Sequence, residues 1–449
     1  MNRFARSVLF TLLLLVCAAP IAAQWQSPLV QEMPADSLVE WMELLRDRVR
    51  ADTLNPARGA RVYGYAGVTA FEALYPGMPD YRSMVFQING LRDLPFPDPD
   101  QVFDWQSSMD AAMRAVLTHL FAPHSADSRT AFAELYARHR QARVEAVGEE
   151  VVARSADFGE ELAAALIVWI DADRASRAEQ ERLTYVLPTA ASLGLTLERD
   201  YVYVPTSPDL PIIEPRWGVV RTLTAPDRYQ CIIRDNMPFS LDEDSAYRQQ
   251  AIEVFETVNN LTREQQEIAR YWHDTPGDSS TPAGHWVSIA THVIRQQGLT
   301  LDRAAMVYGM LGLVLHDAFV VGFGIKYEGL TMRPETYIQR HISPRWRPYL
   351  ETPMFPEYPS NHALVSAAAA DILTSILGIV PFTDTTSQAL HGLVRHYYSF
   401  EQAADESAIS RLYGGIHYRT AIENGRRIGR CVAARALERI KLLPIAQGG

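Results

Sequence analysis

Cysteine is scarce in this chain of 449 residues: there are three, Cys17, Cys231 and Cys431. The last two stand too far apart in sequence to suggest a metal site built from cysteine pairs. Basic charge is also short. Lys and Arg number 42 against 53 Asp and Glu, the formal net charge is -11, and no basic tract stands out, which argues against a nucleic-acid partner. A locally positive pocket in so acidic a chain points instead to a small anion. Several signatures are missing. No G-x-G-x-x-G opens a helix after a strand, no P-loop occurs, and no G-x-S-x-G elbow exists, so the dinucleotide, nucleotide-triphosphate and α/β-hydrolase readings lose their motifs. No repeat with a period of 20–50 residues is visible, which sets solenoids aside.

What is present fits a globular protein with a sizeable core: 47% of residues are hydrophobic and 21% charged. Residues 1–23 have the layout of a signal peptide. Arg3 and Arg6 form a positive start, Val8 to Val16 an apolar run, and Ile21-Ala22-Ala23 a cleavage site before Gln24. The run is too short for a comfortable membrane span, and Val16 stands where a lipoprotein signal ahead of Cys17 has a small residue. The mature chain is therefore expected to be exported, periplasmic or secreted. That compartment permits a Cys231–Cys431 disulfide; two buried free thiols fit the sequence equally well.

Apolar periodicity predicts helices almost throughout. They run from Leu38 to Val49, Ala60 to Leu74, Ser108 to Phe121, Arg129 to Val147 and Glu150 to Ile170, forming an N-terminal helical region over 24–182. From 183 to 241 prolines, aromatics and β-branched residues cluster, as in Tyr201-Val202-Tyr203-Val204-Pro205 and Leu210-Pro211-Ile212-Ile213. This is expected to be an irregular linking segment with at most one short hairpin, covering part of the site. Helices resume in a C-terminal bundle over 242–449, at Ser245 to Val258 and, behind the capping box Thr262-Arg263-Glu264-Gln265, to about His273. Trp272-His273-Asp274 through Gly284-His285-Trp286 fits no common metal spacing and is expected to be a loop packing its tryptophans beside the pocket. Ala304–Ile325 and Ala363–Val380 are long apolar runs, but His316-Asp317 and Asp371 lie inside them. Charge there is costly in lipid, so both are expected to be buried helices of a soluble bundle, not membrane spans.

Three segments carry one kind of chemistry. Lys326 and Arg333 lie seven residues apart, about 10 Å along a helix axis. Gly329 and Pro334 suggest that the helix ends between them, so that Arg333 folds back towards the lysine's target. A lysine point charge and an arginine fork together suit a tetrahedral oxyanion. In Pro359-Ser360-Asn361-His362, Ser360 is a good N-cap, and the free N–H groups behind it form an anion site with a histidine on the first turn. In Ser410-Arg411-Leu412-Tyr413-Gly414-Gly415-Ile416-His417, the glycine pair breaks the helix, so both Arg411 and His417 can reach one pocket.

The pattern K-x6-R-P, then P-S-x-H, then S-R-x5-H resembles the signature of the vanadium-dependent haloperoxidases, shared by bacterial non-specific acid phosphatases and type 2 phosphatidic acid phosphatases. Glu401 to His417 and Thr352 to His362 look like the bacterial haloperoxidase branch, as do Trp272 to Trp286 and Ala73-Leu74-Tyr75-Pro76-Gly77, so the resemblance covers most of the mature chain. It implies an all-α fold of two packed helical bundles and a vanadate cofactor, or none in a phosphatase. His417 would be the apical vanadium ligand, or the nucleophile of a phosphatase working through a phosphohistidine. His362 would be the acid–base group. Lys326, Arg333, Ser360, the N–H of Asn361 and Arg411 would hold the oxyanion, with Phe355, His285 and Trp286 behind them. The partners implied are halide and hydrogen peroxide, or a phosphate ester. Three positions depart from the family pattern: Asn361 replaces glycine, Ala421 an aspartate that tunes the apical histidine, and Gly324 an acid.

Overall fold

A computed structural model describes residues 27–443, apart from 190, 194–201, 208, 226 and 235–236. The expected signal peptide and cleavage site, and Tyr201, lie outside the described residues. Fifteen α-helices appear among the described residues: α1 (Asp36–Ala51), α2 (Pro56–Leu74), α3 (Trp105–Leu120), α4 (Ala126–Val147), α5 (Glu149–Asp171), α6 (Ala175–Leu183), α7 (Ala246–Asn259), α8 (Arg263–Tyr271), α9 (Thr281–Gln297), α10 (Leu301–Gly329), α11 (Pro334–His341), α12 (Asn361–Leu377), α13 (Gln388–His391), α14 (Phe400–Tyr413) and α15 (Arg419–Arg439). Their starts follow from local chemistry. Asn55 accepts from Ala57 and Arg58 N–H ahead of Pro56 in α2, the capping box opens α8, and Ser360 caps α12.

The helices pack in two groups. In one, α3 lies against α2, α4 and α5; in the other, α12 lies against α14 and α15; α10 touches both α2 and α12. One apolar core runs through them, from Val30 to Leu442. Helix α10 is long and apolar enough to cross a membrane, and its most apolar stretch is wholly buried in protein. The close approach of α12 and α15 depends on Gly425, where a Cβ would stand 2.6 Å from the Ser360 carbonyl oxygen. That contact seats the N-terminus of α12.

The polar pair inside α10 holds the irregular segment. Asp317 accepts from Leu223 N (2.5 Å), Thr224 N (2.8 Å), Thr224 Oγ1 (2.6 Å) and Ala225 N (3.1 Å), and His316 Nε2 bonds the Arg221 carbonyl at 2.8 Å. The expected hairpin in 183–241 does not form among the described residues. Val202 instead bridges Thr331, and Tyr203 N donates to the Leu330 carbonyl at 2.7 Å. Pro205, Pro211 and Pro215 offer no N–H to a ladder. The hairpin lies elsewhere, β1 (Phe382–Asp384) paired antiparallel with β2 (Arg395–Tyr397) in register Asp384↔Arg395. The expected loop around His285 and Trp286 is also corrected: both lie in α9, whose Pro282 stands in the first turn, where its missing N–H costs nothing. Cys231 and Cys431 form a disulfide, which ties the irregular segment to α15.

Candidate active site

Helix α10 ends at Gly329, with Leu330 left-handed behind it, and Arg333 becomes the residue ahead of α11. This turn brings Arg333 back beside the loop 355–360. Helix α14 stops at Tyr413, Gly415 takes φ +75°, and His417 follows just ahead of α15. The N-terminus of α12 completes the arrangement. His362, Asn361, Arg411, His417 and Phe355 line a common cavity of about 230 Å³, with Leu210 and Ile213 of the irregular segment, His273, Asp274 and Met354.

Lys326 and Arg333 stand just behind that wall. Lys326 is fully buried, and Nζ donates to the carbonyls of Pro356 (2.9 Å), Glu357 (2.9 Å) and Pro359 (2.6 Å). All three N–H groups of its ammonium are thus in use, and the lysine moors the loop that presents Ser360. Burial, and then the charge of Arg333, hold its pKa well below the usual lysine value. The Phe355 ring lies 5.0 Å from Lys326 Nζ and 4.9 Å from Arg333 Cζ, between two cations. Arg333 donates from Nε to the Phe355 carbonyl and from Nη1 to the Ile416 carbonyl, each at 2.9 Å. Its Nη2 is buried with no hydrogen-bond partner among the described residues. Arg411 is held by the Trp272 carbonyl (2.5 Å) and by Ser410 Oγ (2.8 Å). Burial pushes both guanidiniums down to about 10, still charged at neutral pH.

The tautomer of His417 follows from its neighbours. Arg333 Nη1, which can only donate, lies 3.2 Å from Nε2, so Nε2 carries a lone pair. The proton is on Nδ1, 2.8 Å from Glu357 Oε1, which also accepts from Tyr418 N at 3.0 Å. Burial, then Arg333 and Lys326, push the imidazole well below its usual pKa and keep it neutral. Burial raises Glu357 to about 7, against the pull of Arg333 and Lys326. His362 is likewise pushed down, by burial and then Arg411. Its Nε2 has no hydrogen-bond partner among the described residues and lies 3.8 Å from Asp274 Oδ2.

The VCPO second helical-bundle domain matches residues 306–444, the stretch that holds every residue from Lys326 to His417. A bacterial vanadium-dependent iodoperoxidase of known structure is 28% identical; the match covers 92% of this chain and 97% of that one, with a TM-score of 0.83. These findings support the vanadium haloperoxidase family, whose second helical-bundle domain matches residues 306–444. A holo-type bacterial vanadium-dependent chloroperoxidase, 14% identical over 86% of this chain and 93% of that one, shares the fold, with a TM-score of 0.65. No curated protein matches the chain.

The residues at the cavity fit a vanadate-sized oxyanion. The unpartnered Arg333 Nη2 calls for a buried acceptor, the Nε2 lone pair of His417 is available to one electrophilic centre, and Arg411 and the start of α12 supply positive charge beside it. Among the described residues no cluster of three His, Cys, Asp or Glu could hold a metal cation. The departures now have places. Glu357 is bonded to His417 where Ala421 offers no acid; the Ala421 carbonyl instead accepts from Ser360 N at 3.1 Å. Gly324 lines a separate cavity with Tyr185, Arg216 and Tyr327. The Asn361 amide lies over Gly322 of α10, and neither of its polar atoms has a partner among the described residues. Trp286 lies in the core, its Nε1 donating to Ser366 Oγ at 2.9 Å, and His285 lies beneath Asp274.

Sequence reasoning gave no role to Glu357, Asp274 or Asp384. Glu357 lies within Thr352 to His362, an acid between Pro356 and Pro359 just ahead of a cap. Nothing local marks Asp384, which reaches the site region only through the hairpin.

Proposed function

We propose that the chain is a vanadate-dependent haloperoxidase that oxidises halide with hydrogen peroxide. The observation that carries this reading is His417, a neutral imidazole whose Nδ1 proton rests on Glu357 and whose Nε2 lone pair lies beside a guanidinium. His417 would ligate vanadium, with Arg333, Arg411, Ser360 and the Asn361 N–H around the oxygens. Bound vanadate would supply a Lewis acid for peroxide with no change in its oxidation state. Lys326 would help hold the oxyanion only by exchanging one of its carbonyl partners for it. His362, neutral and unpaired at Nε2, accepts the proton that peroxide loses. Arg333 and Arg411 keep the cavity positive and draw anions to it. An exported compartment suits the disulfide between Cys231 and Cys431.

The test is bromination of a phenolic dye by the purified protein, with vanadate and hydrogen peroxide omitted in turn and His417→Ala alongside. Turnover that needs both additions and the histidine is expected. Hydrolysis of p-nitrophenyl phosphate, blocked by vanadate and without bromination, would replace this reading with a phosphatase.

A further inference from the structure

His285 is buried at the base of α9 with a carboxylate on each ring nitrogen. Nδ1 lies 2.9 and 3.1 Å from the two oxygens of Asp274, and Nε2 lies 2.7 Å from Asp384 Oδ2. A neutral imidazole can donate from one nitrogen only, so two carboxylate partners call for the imidazolium. Trp272 stacks on the ring, with centroids 4.3 Å apart at 18°, and adds a cation–π contact. Asp384 is fixed in turn by Thr386 N (3.0 Å) and Thr386 Oγ1 (2.6 Å). The far end of this row is Asp274 Oδ2, 3.8 Å from His362 Nε2.

We propose that Asp384 and His285 are positioning residues for His362: Asp384 keeps His285 charged, and that charge offsets Asp274, so that His362 rests as a free base. The role of His362 comes from the function proposed above; the charge on His285 does not depend on it. The groups facing His362 agree with this assignment. Arg411, His273, Lys326 and His285 oppose a proton on it, and Asp274 is the carboxylate that favours one. Burial lowers the pKa of His285, but the two aspartates outweigh it and raise it to about 10. The short hairpin thereby gains a purpose, since β1 delivers Asp384.

The signs of two substitutions separate this arrangement from plain Coulomb attraction. Removing a distant carboxylate by itself would make His362 easier to deprotonate. Acting through His285, Asp384→Asn does the reverse: His285 turns neutral, Asp274 is no longer offset, and His362 holds its proton longer. The acidic limb of the bromination profile should therefore move up by about one pH unit. His285→Gln should move it the same way, and Asp274→Asn the opposite way. The first measurement uses the vanadate-free protein and needs no turnover. In nitrogen-15 histidine spectra, His285 should show two bonded N–H signals from about pH 5 to about pH 9, and Asp384→Asn should leave one. A single N–H on wild-type His285 at neutral pH would overturn the proposal, as would an Asp384→Asn limb that moves down or stays in place. Absence of bromination by the wild type would end the haloperoxidase reading, and the spectra would still decide the charge of His285.

Discussion

Glu357 does for His417 what the residues after that histidine cannot. It comes from a loop 60 residues earlier in the chain and fixes the tautomer that leaves Nε2 free. Groups that orient a ligand in this way typically govern affinity as well as geometry. Glu357→Gln is expected to weaken vanadate binding about 10- to 100-fold, measured by equilibrium dialysis; unchanged affinity would mean that Arg333 alone orients the ring. A second buried acid makes a pH prediction. Burial raises Glu72 from its ordinary 4.5 to about 7, although Ser83 Oγ and Met84 N donate to it. Its folded pKa lies above its unfolded one, so its contribution to stability is fully present below about pH 4.5 and is lost as pH rises through about 7. Glu72→Gln should therefore gain on the wild type in thermal unfolding as pH is raised from 5 to about 8. A constant gap between the two proteins over that range would refute the shift.

At the scale of elements, α10 does two jobs at once. Its apolar face fills the core, and its buried carboxylate Asp317 gathers four donors from residues 223–225. Replacing it leaves three backbone N–H groups and a hydroxyl without an acceptor. Asp317→Ala is expected to cost at least about 3 kcal/mol in urea unfolding; a loss under about 1 kcal/mol would mean that water takes the carboxylate's place. The same segment supplies Leu210 and Ile213 to the cavity wall, so loosening it should also raise the KM for the organic acceptor. The hairpin of β1 and β2 is the counterpart on the other flank, a small element whose buried residue Asp384 is a charge partner and not a packing group.

Over the whole molecule, the Cys231–Cys431 disulfide closes a loop of 200 residues. In chain-entropy terms a loop of that length contributes about 5 kcal/mol through the unfolded state. Cys431→Ser is expected to lower the thermal midpoint by several degrees, with the non-reducing and reducing scans of the variant coinciding. Equal midpoints for variant and oxidised wild type would show that the bond forms without stabilising the fold. The net charge of -11 belongs to the surface. Inside it, Lys326, Arg333 and Arg411 are all nearly or wholly buried around one site, an arrangement that draws anions inward against the overall field.

The helices were legible in the sequence because each has to bury one face, and that requirement writes a 3.6-residue period into the chain. Lys326, Arg333, Ser360, Asn361, His362, Arg411 and His417 were legible too, because caps, glycine breaks and the order of three short segments are local features. The hairpin was misplaced, because strand pairing is settled by which backbone groups meet, and prolines 205, 211 and 215 took the expected strands out of that competition. The loop expected from Trp272 to Trp286 holds only as far as Ser280, and His285 and Trp286 lie in α9. Whether the two cysteines pair was open, since only the fold brings their Cα atoms to 5.6 Å. The acids bonded to the two histidines, Glu357 on His417 and Asp274 and Asp384 on His285, were decided by tertiary structure alone. Each acts across a gap between elements, and electrostatics in a dry interior depends on distances of a few ångströms that no spacing along the chain records.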